Sequence, residues 1–175
     1  LIGVHIADVT AYIHKDTTFD QLAQKRLSTI YLHKRIDMFP TILSTDIASL
    51  KPGCIKRAVS ITYIVSKDGE IKDISYNRTF IKSTKAFTYD EVDLILNNKM
   101  DSKFSNDLLL LKKTVSKFSN KYISIPQKID SHSLIETLMI LTNRKIAEIL
   151  YQKYPTSTIL RIHDGLNVER WNSIY

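Results

Sequence analysis

The sequence predicts an α/β (α+β) domain in which helices pack on a mixed β-sheet. Three observations support this class: an apolar segment typical of a strand comes first, a hairpin signal lies mid-chain, and helical periodicity dominates the second half. The chain has 175 residues, of which 43% are hydrophobic. It is therefore long enough to bury a core, as one domain or as part of a larger one.

The first predicted elements are a strand and a helix. Residues 2–7 are apolar on both faces, which is typical of a buried strand. Thr18 followed by Gln21 is a capping-box pattern, and it predicts the start of a helix. Apolar residues at helical spacing then continue to Ile30, so the predicted helix extends to about that position.

A hairpin is predicted in the middle of the chain. An irregular stretch, with one helical turn near 45–50, precedes it. Residues 58–66 and 70–83 are rich in strand-forming residues, and Lys67-Asp68-Gly69 between them is a typical hairpin turn. Alternating apolar residues in the first of these strands indicate that one face of the hairpin is buried.

Helices dominate the predicted second half. Apolar spacing predicts helices over 89–98, 106–120 and 133–153. A short strand is predicted over 158–162, and the pattern of 168–175 is typical of a helix that the end of the sequence interrupts.

Charge and composition restrict the classes of partner. The chain carries 25 Lys+Arg and 18 Asp+Glu, a net charge of +7, which favours a polyanion such as nucleic acid. Because the basic residues are dispersed, most of them are expected to form an ordinary solvated surface. The lone Cys54 excludes an internal disulfide framework and fits a reducing compartment. No apolar run reaches the ~18–20 residues of a membrane span, so no membrane contact is predicted.

Several familiar chemistries are absent from the sequence. It contains no G-x-x-x-x-G-K-[ST] or G-x-G-x-x-G nucleotide loop, and its five histidines have no zinc-ligand spacing. Asp90, Glu91 and Asp93 could ligate a hard cation through oxygen atoms. The favoured interpretation is that these acidic residues stabilise the first turn of a helix.

Seven blocks of the sequence carry a family resemblance: 3–10, 25–32, 35–40, 43–52, 86–92, 133–143 and 160–163. In this order they resemble the catalytic RNB domain of the ribonuclease II and ribonuclease R exoribonucleases. The wording of 34–38 and 85–89 is most similar to the eukaryotic exosome's catalytic exoribonuclease branch. The chain is therefore expected to be a single partial RNB domain over residues 1–175, without the family's C-terminal part.

The resemblance implies a processive 3′→5′ exoribonuclease that hydrolyses single-stranded RNA to nucleoside 5′-monophosphates with two Mg²⁺ ions. The family's metal ligands are aspartates just upstream of the first strand, so we expect the ligands before residue 1 and no nuclease activity from these 175 residues alone. Implied partners are single-stranded RNA and exosome core subunits, in the nucleus and/or cytoplasm. The alternative is a catalytically inactive RNB-like protein that only binds RNA.

Two tyrosines match family positions that contact RNA. Tyr31 matches a residue whose ring stacks on the 3′-terminal base. Its alternative is a core tyrosine, since it lies four residues after Leu27 on the predicted apolar stripe. Tyr89 matches a tyrosine that helps seat the terminal nucleotide, and its alternative is an ordinary aromatic residue at a helix start.

Two carboxylates are further candidates. Glu136 matches a family glutamate that orients the RNA 3′ end, and a carboxylate that accepts from the 2′-OH would discriminate RNA from DNA. Its alternative is a capping box with Ser133. Asp8 follows the first strand, where it could support the metal ligands from a second shell or cap a turn.

Three basic residues and two departures from the family complete the predictions. Arg26 lies on an apolar stripe, which either a buried ion pair or a phosphate contact would explain. Arg161 and His163 either contact the RNA backbone or are ordinary solvated residues. The segment between 120 and 133 is shorter than in the family, which puts base stacking on that side of the RNA channel in doubt. Thr137 also stands where the family often has a second glutamate.

Overall fold

A computed structural model describes residues 1–118 and 129–160, and it confirms the predicted fold class. Within these residues the α-helices are α1 (Thr18–Arg26), α2 (Tyr89–Leu96), α3 (Ser105–Val115) and α4 (Ser131–Lys153). The strands are β1 (Ile2–Ala7), β2 (Ile30–Tyr31), β3 (Arg35–Ile36), β4 (Ile55–Val65) and β5 (Ile71–Lys82). None of the helices described is both long and apolar enough to cross a membrane.

The main sheet has the strand order β1-β4-β5, and both ladders are antiparallel. In the described residues, parallel pairing occurs at one isolated bridge, between Pro52 and Ser83. The sheet itself is therefore antiparallel rather than mixed. β1 forms an edge of this sheet, and Ile6 is 49% exposed. The prediction that the first strand is buried on both faces is therefore wrong, because Ile2 and Val4 pack against the core on one face whereas Gly3 and His5 on the other face are exposed.

The predicted hairpin turn is confirmed, since residues 67–69 connect β4 to β5. Gly69 has φ +81°, a left-handed conformation that glycine adopts without steric cost. A side chain at this position would also collide with Lys117 at the end of α3. Lys117 Nζ donates to the carbonyl of Lys67, so the turn packs directly on α3.

The core lies between one face of the sheet and the helices α3 and α4. Its buried members are Ile61, Tyr63, Val115, Phe118, Leu134, Leu138 and Leu141. The Tyr63 hydroxyl is 2.9 Å from Thr142 Oγ1 on α4, and both residues are buried. Burial raises the pKa of the Tyr63 phenol, which therefore remains a neutral hydrogen-bonding group that joins the central strand to α4.

The first helix differs from its prediction at both ends. Thr17, rather than Thr18, is the N-cap, since its side chain accepts from the Asp20 amide. The helix ends at Arg26, because Leu27 adopts φ +63° and is 80% exposed. Ile30 consequently lies in a strand, and the apolar spacing that predicted a longer helix does not describe one continuous face.

The later helices are confirmed with shifted bounds. α3 ends at Val115 instead of near residue 120, and α4 begins at Ser131 instead of residue 133. Residues 158–160 have no strand structure, so the described part of the strand prediction is wrong. The rest of that segment, the predicted helix over 168–175, and Arg161 and His163 lie outside the described residues.

Removing the buried phenol should destabilise the domain. Tyr63→Phe leaves the Thr142 hydroxyl without this partner in the core, which should cost about 1–3 kcal/mol in the free energy of unfolding. Thr142→Val in the Tyr63→Phe background should recover part of that loss, because it removes the unpaired hydroxyl. Urea unfolding of the four proteins of this cycle measures the coupling, and strictly additive losses would contradict it.

Candidate RNA-binding site

Tyr89 is the first residue of α2, and the cap before it fixes its backbone. Thr88 Oγ1 accepts from the Glu91 amide at 3.2 Å, while Glu91 Oε2 accepts from the Thr88 amide at 2.8 Å. This reciprocal capping box satisfies two amides at the start of the helix. The Tyr89 side chain is 48% exposed, so it projects from a fixed backbone toward solvent.

Two contacts join the start of α2 to the start of α4. The Tyr89 ring stacks on His132 with a centroid distance of 3.8 Å and an interplanar angle of 13°. One turn further along α2, Asp93 Oδ1 accepts from the Ser131 amide at 2.8 Å. Asp90 and Glu91 are the acidic residues of the first turn of α2, whereas Asp93 lies beyond that turn and connects α2 to the start of α4.

Glu136 is exposed and lies four residues after His132, so the two share one face of α4. The predicted capping box of Ser133 with Glu136 is wrong. Asp130 is the N-cap of α4, and Ser133 is its reciprocal partner, with both hydrogen bonds at 2.8 Å. The Glu136 carboxylate is thus not used in the cap, and it lies on the same face as the residue that stacks on Tyr89.

Charge and shape around this surface suit a polar ligand above an apolar pocket. Lys85 Nζ lies 3.2 Å from Glu91 Oε1 and 4.2 Å from the centroid of Phe87. Hydrogen bonds from the Thr88 amide and Lys85 hold the pKa of Glu91 below its ordinary value. A pocket of about 380 Å³ opens beside Tyr89, lined by Phe87, Thr88, Tyr89, Val92, Leu108, Leu111, Ser131, Leu134 and Ile135.

Tyr31 lies in a different part of the chain, on the two-stranded β2–β3 hairpin. It pairs with Arg35 in the register, and its side chain is 76% exposed. The alternative of a core tyrosine is therefore wrong, because α1 ends before it. Within the described residues, ring contacts join Tyr89 to His132, and none joins Tyr31 to either of them.

The β2–β3 hairpin is supported by hydrogen bonds to Asp37, a buried residue. Arg35 Nε and Nη2 contact the two carboxylate oxygens at 2.7 and 3.2 Å, and this pair holds the pKa of Asp37 below its ordinary value. Arg26 Nη1 donates to the Asp37 carbonyl at 2.6 Å. Arg26 is exposed, so its predicted buried ion pair is wrong, and the observed partner is this backbone carbonyl.

Asp8 is buried at the end of β1, where its oxygens are already engaged. Oδ1 accepts from the Thr10 hydroxyl at 2.6 Å, and Oδ2 lies 3.5 Å from Arg78 Nε. Arg78 Nη2 also donates to Thr10 at 3.0 Å. Across the residues that the structure describes, no three His, Cys, Asp or Glu side chains form a group that could hold a metal ion. These residues therefore do not by themselves fit a magnesium centre, and Asp8 orients a guanidinium.

Sequence reasoning missed four residues of interest. Arg57 lies 5.5 Å from the ring centroid of Phe80, its cross-strand partner, and Phe80 is 71% exposed. Arg78 projects beside them, so basic and aromatic groups meet at one end of the sheet. These three residues are brought together by the pairing register of β4 and β5, which cannot be deduced from a single sequence. The fourth residue is His132, whose spacing of four from Glu136 was visible in the sequence.

Fold and surface define an α/β domain that presents exposed aromatic, basic and carboxylate groups suited to single-stranded nucleic acid. Comparison with known families gives the specific assignment, since the RNB domain model matches residues 1–124 and 113–175. The chain belongs to the RNB family.

Relatives and solved structures agree with this assignment. The chain is 30% identical over 93% of its length to the probable exosome complex exonuclease RRP44 of Caenorhabditis elegans. It spans about a fifth of the length of the curated relatives it matches. Mycoplasma genitalium RNase R in complex with ribose-methylated single-stranded RNA superposes with a TM-score of 0.75, at 24% identity, over 86% of this chain and 28% of that one. Yeast Ssd1, a pseudonuclease, superposes with a TM-score of 0.73 at 20% identity, over 86% of this chain and 22% of that one.

The two helix caps at this surface should make folding stability sensitive to acid. Hydrogen bonds from Ser133 lower the pKa of Asp130 below 3.8, and the contacts described above lower that of Glu91 below 4.5. Both groups therefore stabilise the fold above their unfolded pKa values, and this contribution is lost as pH falls through the folded values.

Asp130→Asn keeps a capping side chain that does not titrate. The stability advantage of the wild-type protein over this variant should therefore shrink between about pH 6 and about pH 3. Urea unfolding at both values measures it, and an advantage that grows in acid would contradict the assignment of Asp130 as a charged cap.

Proposed function

We propose that this chain is the middle of the catalytic domain of a magnesium-dependent, processive 3′→5′ exoribonuclease. It would act on single-stranded RNA and release nucleoside 5′-monophosphates. The observation that carries the proposal is the surface at the start of α4 in a member of the RNB family, where Tyr89 stacks on His132 and the exposed Glu136 lies one turn further along the same helix. The matched relatives include proteins named as exosome exonucleases and ribonuclease R.

Each candidate residue supplies a distinct contact in this proposal. The exposed ring of Tyr31 offers a face on which any base can stack, a contact worth about 1–3 kcal/mol per base. Tyr89 offers a hydroxyl to the sugar or phosphate of the terminal nucleotide. The exposed Glu136 carboxylate can accept from a 2′-OH and so distinguish RNA from DNA.

Magnesium, partners and location are parts of the same proposal. The metal ligands are proposed to be aspartates before residue 1, as the family resemblance implies, and the described residues form no such group themselves. Asp8 would then support the site indirectly, through the Arg78 guanidinium that its carboxylate contacts. Exosome core subunits are the proposed protein partners, since matched relatives carry exosome names, and the proposed location is intracellular, in the nucleus and/or cytoplasm.

A second candidate function is an RNB-like protein that binds RNA without cleaving it. The observation that favours it is the structural match to yeast Ssd1, whose described status is that of a pseudonuclease. Both candidates use the same exposed RNA contacts, and they differ in whether aspartate ligands precede residue 1.

Substitution of Tyr31 in the full-length protein tests whether its ring stacks on the bases at the RNA 3′ end. Tyr31→Ala should lengthen the final undegraded products more than it slows bulk decay of a long single-stranded RNA. A long substrate keeps many other contacts, whereas a short one depends on each stacked base. Denaturing gels of end-labelled RNA measure both quantities, and Tyr31→Phe, which keeps the ring, is the matched control. End products of unchanged length would show that Tyr31 does not stack on the RNA bases.

A further inference from the structure

We infer that His132 is a positioning residue, which holds the Tyr89 ring in place and thereby orients the RNA 3′ end. This inference rests on the proposed function of Tyr89 and Glu136, and it adds a residue that the family resemblance did not assign. Its basis is the stack of the two rings, 3.8 Å apart and 13° from parallel.

The backbone that carries His132 is held from two sides. Asp130 caps α4 and exchanges hydrogen bonds with Ser133, so the first turn is fixed around His132. The Ser131 amide donates to Asp93 on α2, the helix that carries Tyr89. The relative position of the two helix starts is therefore set by the Asp93 bond, independently of the rings.

The stack adds what the backbone contacts do not provide, which is control of the Tyr89 side chain. Tyr89 is half exposed at a helix start, and without a neighbour its ring could sample several rotamers. The imidazole covers one face of the ring, so the phenol hydroxyl is restricted in direction. The near-parallel contact between the two rings opposes rotation of Tyr89 about its side-chain bonds.

His132 also relates Tyr89 to Glu136. Residues four apart on a helix are neighbours, with Cβ atoms about 5–6 Å apart. His132 therefore stacks on the Tyr89 ring and lies one turn before Glu136 on the same face of α4. A ribose bound at this surface would meet both polar groups at once, and removal of the imidazole would loosen one of them.

The first measurement tests, in the absence of RNA, whether the His132 ring covers the Tyr89 ring. The full-length protein carries 3-fluorotyrosine at position 89, and ¹⁹F NMR compares the wild-type background with His132→Ala and His132→Phe. The inference predicts that His132→Ala moves the ¹⁹F signal toward that of a solvent-exposed tyrosine and narrows it. His132→Phe should keep the signal displaced, because a phenyl ring can stack in the same place. An unmoved signal in His132→Ala overturns the inference.

The second measurement reads the RNA end. Dissociation constants are measured in EDTA for two single-stranded RNAs that differ in a 3′-terminal ribose or 2′-deoxyribose. His132→Ala should reduce the preference for ribose by about twofold to tenfold, the scale of one aromatic pair. His132→Phe should restore most of the preference for ribose. A general loss of folding would instead weaken the binding of both RNAs equally. Tyr151→Ala, which removes an exposed aromatic side chain far along α4, is the matched control and should change nothing.

Two further variants separate the inference from the function on which it rests. Tyr89→Ala and Glu136→Ala should each reduce the ribose preference at least as much as His132→Ala does. If they do and His132→Ala does not, the positioning role is overturned while the proposed function stands. If neither changes the preference, the proposed seat for the RNA end is wrong, and the role of His132 falls with it.

Discussion

The buried contact between Tyr63 and Thr142 places the longest helix on the sheet, and the candidate site depends on that placement. Tyr63 lies on β4, the central strand, so α4 is attached to the strand that has a neighbouring strand on each side. Once α4 is held there, its first turn meets the start of α2 through Ser131 and Asp93. The stack of Tyr89 on His132 is therefore a consequence of core packing, as well as a local contact between two rings.

Local chemistry made the central hairpin and α2 predictable from sequence, whereas competing local signals moved several helix ends. Residues 130–136 contain two overlapping capping patterns, and only one can start the helix. The cap at Asp130 prevails because Ser133 reciprocates its hydrogen bonds, which leaves Glu136 free of a cap role. At α1, apolar spacing continues past Arg26, but the left-handed backbone of Leu27 ends the helix.

The candidate site was predictable in its members but not in its assembly. Family resemblance placed Tyr89 and Glu136, which are 47 residues apart in sequence, and the fold brings both to the start of α4. The contribution of His132 needed a contact between two helices, and that of Arg57 with Phe80 needed the strand register. Neither contact follows from the periodicity of one sequence. Apolar spacing alone favoured a core position for Tyr31, but α1 ends before this residue and its side chain is exposed, as the family resemblance implied.

The full-length protein is proposed to degrade RNA from its 3′ end, and one assay tests this activity directly. The full-length protein is incubated with Mg²⁺ and a 5′-labelled single-stranded RNA that carries a 3′-hydroxyl. We expect progressive shortening from the 3′ end, release of nucleoside 5′-monophosphates and complete inhibition by EDTA. RNA that is bound but remains intact in Mg²⁺ would contradict it, and would instead identify an RNA-binding member of the RNB family without nuclease activity.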